Sequence, residues 1–145
     1  MGGRGAASGT KYYYNGREWL QYGDEFESVY TSGNIKFVIN KTDSNTKAPL
    51  ETRTNGRVYV TLNKDNGEPQ YVTYYDKKNK KFKQIDVRKN HRHYDIKNGD
   101  VGYEHTHKGY LHDENGTRKM TIKERSLVAK IKQEWRRNVR SKIKQ

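Results

Sequence analysis

The stretch richest in groups that could do chemistry is Asn90–Asp113, which holds all five histidines of the chain: His91, His93, His105, His107 and His112. Imidazole titrates near neutral pH and is a common metal ligand. Two pairs have His-x-His spacing. In a strand, residues i and i+2 share a face, so each pair would present two imidazoles on one side. Between the pairs lies Lys97-Asn98-Gly99-Asp100, a hairpin signal. A two-residue Asn98-Gly99 turn would set His93 opposite Glu104 and turn the pairs to opposite faces. A three-residue loop over Lys97-Asn98-Gly99, with Gly99 left-handed, would set His91 opposite His105 and gather four imidazoles on one face. His112 would close over them after the turn at Lys108-Gly109. The second geometry is the expected one, and it makes a metal site of His91, His93, His105, His107 and His112. Imidazoles and carboxylates without thiols suit Zn²⁺ best, with Ni²⁺, Mn²⁺ and Fe²⁺ left open.

The elements that must position these histidines follow from local pattern. Tyr12-Tyr13-Tyr14, Asn15-Gly16 and Arg17–Tyr22 read as a short hairpin or as a strand entering a helical turn, and Phe26–Tyr30 is ambiguous. Ile35–Asn40 is a strand, and Lys41–Asn55 is a polar loop with Pro49. Val58–Leu62, Gln70–Tyr75 and Lys81–Val87 are strands separated by turn-rich polar segments, which implies antiparallel neighbours. From Thr121 the period becomes helical. Thr121-Ile122-Lys123-Glu124 is a capping box, and Leu127, Val128, Ile131, Trp135 and Val139 form one apolar stripe. The other side of that helix carries Lys130, Arg136, Arg137, Arg140, Lys142 and Lys144, the expected partner-binding residues. The fold class is α+β: a twisted antiparallel β-sheet, a meander, with one long C-terminal helix packed on it.

Composition bounds the rest. A chain of 145 residues is one domain. Residues 1–10, rich in glycine, alanine and serine, are expected to be a disordered tail, and 11–145 a single metal-stabilised domain. Hydrophobic content is 30%, with 12 tyrosines doing much of the apolar work. Such a core is modest, and small cores often lean on a bound metal. The absence of cysteine excludes disulfides and thiolate chemistry. The net charge of +13 calls for acidic partners and excludes an imitator of DNA. No apolar run approaches the ~20 residues of a membrane span. The first residues do not resemble a secretory signal, so an intracellular protein is expected. No Ser-His-Asp arrangement, phosphate-cradling glycine loop or HExxH motif is present, so no catalytic residue is assigned.

The order of motifs carries a resemblance. RVYVTLNKDNGEPQYVTYYDKKNKKFKQID, then HRH, then GYEHTHKGYLHDENGT, then a capped helix containing a tryptophan, resembles a module of phages of Gram-positive bacteria. That module occurs at the C-terminal end of minor head proteins and as small free-standing proteins. The likeness covers roughly residues 22–136. Its most specific part is H-x-H-x-G-Y-x-H-D-E, here His105, His107, Gly109, Tyr110, His112, Asp113 and Glu114. In size and basic charge the chain also resembles the small phage proteins that disarm host defence, among them anti-CRISPR proteins acting on Cas9-type nucleases. The resemblance implies a binder in the cytoplasm of a bacterial host, with a nucleoprotein such as Cas9 with its guide RNA, or nucleic acid, as partner and no membrane. A metal- or histidine-dependent nuclease and a phage structural or DNA-packaging accessory protein are the competing readings.

Overall fold

β-branched and aromatic residues dominate IKFVIN, VYVTL and PQYVTYY, and these segments form the middle of the sheet, where both faces are covered. The computed structural model describes residues 6–7, 11–14, 17–20, 25–41, 46–88, 93–95, 97–110 and 114–143, with backbone alone for 7, 11–14, 17–20 and 93–95. In chain order the strands are β1 (Ala6–Ala7), β2 (Lys11–Tyr14), β3 (Arg17–Leu20), β4 (Phe26–Ser32), β5 (Ile35–Asn40), β6 (Glu51–Thr52) and β7 (Val58–Leu62). They continue as β8 (Pro69–Tyr75), β9 (Lys81–Asp86), β10 (His93–Asp95), β11 (Gly99–Gly102), β12 (His105–Lys108) and β13 (Thr117–Lys119). Helix α1 (Ile122–Glu134) runs through one π turn, Trp135–Val139, into α2 (Arg140–Ile143).

Seven strands form the main sheet in the order β13-β12-β9-β8-β7-β5-β4. The expected α+β class, a mostly antiparallel sheet with a C-terminal helix, is what the chain adopts. The meander expected from Arg57 onward is present as β7-β8-β9, and the departure from antiparallel pairing lies before it. β5 and β7 pair in parallel, Ile35 against Val58 and Phe37 against Val60. The segment from Asn40 to Val58 is long enough to return the chain to the end where β5 began, and only then does β7 start. Part of that segment is itself ordered. β6 pairs with β1, and Ala6 is buried beside Phe26, Val38 and Tyr59. Ala6–Ala7, within the stretch expected to be a disordered tail, form a strand, and the small Ala6 side chain suits a close approach to this aromatic cluster. The other residues of that tail lie outside the described residues. β2 pairs with β3, Tyr14 against Arg17, the hairpin that is one of the two readings the sequence leaves open for this stretch.

Pairing register assigns the faces. Val72 lies opposite Ile85, and Ile85 opposite Thr106. This face meets the helix, where Val128, Ile131 and Val139 are buried with Phe37, Val60, Leu62, Val72 and Ile85. Burying each of those helix side chains contributes ~1.5–3 kcal/mol by transfer from water, so packing rather than intrinsic propensity holds the helix. Trp135 sits at the rim of that core, where its indole Nε1 donates to Gly67 O at 2.9 Å. The opposite face carries Tyr71, Thr73, Gln84 and Asp86 in alternate positions.

Candidate metal centre

His105 and His107 are adjacent same-face positions on β12, and β12 is an inner strand of the sheet. On one side β9 sets Asp86 opposite His105 and Gln84 opposite His107. On the other, β13 sets Thr117 opposite His107. His105 is 0% exposed, His107 4% and Asp86 1%. The two imidazoles meet edge to face with ring centroids 4.7 Å apart and Nε2 facing Nε2 at 3.0 Å. Asp86, His105 and His107 offer one ligand atom each within 4.8 Å of one another, so together they could hold a metal ion.

The outer nitrogens decide what the inner ones can do. His105 Nδ1 lies 3.1 Å from Gly102 O. A carbonyl has no proton to give, so Nδ1 carries the proton and the neutral ring turns a lone pair inward. His107 Nδ1 lies 2.9 Å from Thr117 Oγ1, a hydroxyl that can donate or accept. If the hydroxyl donates, His107 Nε2–H bonds to His105 and the pair is satisfied as it stands. If the hydroxyl accepts, both Nε2 lone pairs face inward and repel unless a cation sits between them. An imidazole fixed through Nδ1 with Nε2 free is the usual arrangement of a metal-ligating histidine. Two ligands at 2.0–2.1 Å on a tetrahedral ion stand about 3.3 Å apart, close to the spacing here. Asp86 also accepts from Arg88: Oδ1 from the backbone amide at 3.0 Å and Nε at 3.2 Å, Oδ2 from Nη2 at 2.9 Å. A carboxylate has about four lone-pair sites, so these bonds fix its orientation and still leave capacity for an ion.

Between the histidines, Thr106 points to the helix face and donates to Glu124 Oε1 at 2.9 Å. Glu124 closes the capping box with Thr121 and also binds Arg118 and Lys83. Burial alone would raise its pKa. The hydrogen bonds from Arg118, Lys83, the Thr121 amide and Thr106 outweigh burial and hold the carboxyl well below the usual carboxylate range. Strand β12 is thus held by the histidine cluster on one face and by the buried carboxylate on the other.

The expected hairpin exists, but its register and its role differ. Asp95 pairs with Gly99, Tyr94 with Asp100 and, past an irregularity, His93 with Gly102. Gly99 is left-handed at φ +76°. The pairing is one residue out from the expected register, and the expected place of His91 opposite His105 lies outside the described residues. β10 and β11 form a separate two-stranded ribbon, while His105 and His107 belong to the main sheet. His93 lies within β10, and its side chain is outside the described residues, as are His91 and His112 altogether. Asp86 was not foreseen. Its signal was a charged residue between Ile85 and Val87, both buried, but only the β9–β12 pairing shows what it faces.

On the helix, Lys130, Arg136, Arg137, Arg140 and Lys142 are all exposed, and Lys144 lies outside the described residues. The Arg140 guanidinium stands 5.4 Å over the Trp135 ring. These cations and the histidine cluster lie on opposite faces of the sheet. Tyr74 and Tyr75 serve packing, as expected of strand tyrosines: Tyr74 joins the helix-side core, and the Tyr75 hydroxyl donates to Pro49 O at 2.6 Å. No helix among the described residues is long and apolar enough to cross a membrane. Comparisons with protein-family models, with curated proteins and with solved structures give no match.

Proposed function

We propose that the protein is a phage-encoded, metal-stapled inhibitor that docks in fixed stoichiometry on a host defence nucleoprotein, a Cas9-type effector with its guide RNA. The observation that supports this most is the separation of the two groups of residues. The His105 and His107 imidazoles are buried in the sheet, while Lys130, Arg136, Arg137, Arg140 and Lys142 are exposed on the helix. The buried set suits zinc, because it combines imidazole and carboxylate donors without thiolate. Its burial also favours a binder over a nuclease, since a phosphodiester has no open path to either imidazole. These five exposed residues suit a phosphate backbone or an acidic protein surface. If all five met phosphates, log K would fall against log salt with a slope of about −3.5 to −4.5.

The test mixes the tag-free protein with Cas9, guide RNA and target DNA over a range of ratios. Inhibition should saturate near one protein per effector and leave the guide intact. Arg136→Glu with Arg137→Glu should keep the melting temperature and lose most of the inhibition. Guide or target cut at protein levels far below the effector would overturn the binder in favour of an enzyme. No effect at large excess would overturn it in favour of a phage structural protein.

A further inference from the structure

A second polar site lies at the other end of the β8–β9 pair. There β9 carries an extra residue: Tyr74 pairs with Lys83 and Tyr75 with Lys81, leaving Phe82 between them. The bulge and the turn after β12 border a cleft of about 570 Å³, lined by Lys81, Phe82, Lys83, Lys108, Tyr110 and Arg118 with Asp76, Gly109, Glu114 and Asn115. Phe82 is 45% exposed there, one of few large apolar side chains left open to solvent among the described residues.

The cations of this cleft are not equivalent. Lys83 and Arg118 are both satisfied by Glu124, at 2.8 Å each. Lys81 is only 7% exposed, yet among the described residues its ammonium has no hydrogen-bond or ion-pair partner. Lys108 likewise has none among the described residues. The carboxylates nearby are committed elsewhere. Asp76 Oδ1 accepts from the amides of Lys78 and Lys80 at 2.9 and 3.0 Å, and Glu114 Oε1 accepts from the Tyr110 amide at 2.8 Å. Glu114 does attract Lys81 from a distance, but burial outweighs it and lowers the pKa of the amine. The Lys81 stem is buried while its ammonium opens on the cleft without a partner, and an anion entering there would offset its partial desolvation. Phe82 adds an open aromatic ring beside the cations, the combination that takes a phosphate with a stacked base.

We infer that this cleft binds a nucleotide, with Lys81 and Lys108 holding its phosphate and Phe82 receiving its base. The nucleotide is either free or one unit of a single strand, because both present the same phosphate and base. The site uses none of the helix residues assigned to the effector, so its test does not depend on that assignment.

Calorimetry with adenosine 5′-monophosphate and with a ten-residue oligoadenylate lacking terminal phosphates separates the two sources. The protein should bind at least one of them at one site per chain. Binding of the monophosphate alone identifies a free nucleotide, and binding of the oligomer identifies a strand. Lys81→Met should weaken the binding at least tenfold and leave the melting temperature equal or higher, because a partly desolvated charge without a partner is replaced by an apolar chain of similar shape. Phe82→Ala should weaken it several-fold, and Lys41→Met, at an exposed lysine after β5, should not change it. Should Lys81→Met fail to fold, reductive methylation of the wild-type chain decides: the bound probe should slow modification of Lys81 at least fivefold. No binding of either probe, wild-type affinity in folded Lys81→Met, or methylation of Lys81 at an unchanged rate would overturn the site.

Discussion

Glu124→Gln removes one charge at the junction of sheet and helix while keeping an amide oxygen able to cap Thr121. In the wild type the carboxylate accepts from Arg118 Nη1 and Nη2 at 2.8 and 2.9 Å, Lys83 Nζ at 2.8 Å, Thr106 Oγ1 at 2.9 Å and Thr121 N at 2.9 Å. Breaking a buried pair by deleting one partner costs about 3–5 kcal/mol. The Arg118 and Lys83 side chains are 27% and 21% exposed, so water recovers part of their solvation. The expected loss is therefore about 2–3 kcal/mol, or about 5–10 °C for a chain of this size. The pH dependence follows from the depressed pKa of the folded carboxyl. Its stabilisation is fully present above the unfolded value of about 4.3 and is lost as pH falls toward the lower folded value. Circular-dichroism melts at pH 7 should show the full gap between wild type and variant, and the gap should narrow below about pH 4. A gap under one degree at pH 7, or one that stays flat down to pH 2.5, would refute the account of this cluster.

The proposed zinc staple at Asp86, His105 and His107 predicts about one zinc per chain in tag-free protein, measured by mass spectrometry, and a chelator should lower the wild-type melting temperature by several degrees. His107→Ala should cost about 2–4 kcal/mol, because it leaves the Thr117 hydroxyl and His105 Nε2 without their partner, and its melt should ignore the chelator; a wild-type melt equally indifferent to chelator would sink the staple. Single alanine variants at His91, His93 and His112 should lower the bound zinc wherever the residue completes the donor set, which metal analysis reads directly. Trp135→Ala should cost about 2–3 kcal/mol, less than the ~3–5 of a fully buried tryptophan, since the indole sits at the rim and loses one hydrogen bond to Gly67 O. An unchanged thermal midpoint would mean that the helix does not depend on that anchor.

Local signals carried much of the fold. Ile35–Asn40 and Val58–Leu62 are strands with the bounds their composition implied, and the capping box at Thr121 and Glu124 forms with both of its hydrogen bonds. The helical stripe found its buried members in Val128, Ile131 and Val139. Each of these is set by neighbours within a few residues, where periodicity and capping chemistry are readable. The clustering of the histidines likewise marked His105 and His107 as partners, because i and i+2 share a face in any strand.

What sequence could not reach was pairing between distant segments. The parallel β5–β7 pair depends on where a long connection ends, and no residue pattern in β5 or β7 states that. The ligand geometry depends on β12 leaving the hairpin and joining β9, which brings Asp86 beside His105. Asp86 and Lys81 both looked like ordinary polar strand residues. Glu124 read as a helix cap, and became the anchor of Arg118, Lys83 and Thr106 only when β9, β12 and β13 met the helix. A charge acquires a perturbed pKa, or an ion to hold, from what surrounds it in three dimensions. The chain order alone lists the groups, and the strand register decides which of them share a buried space.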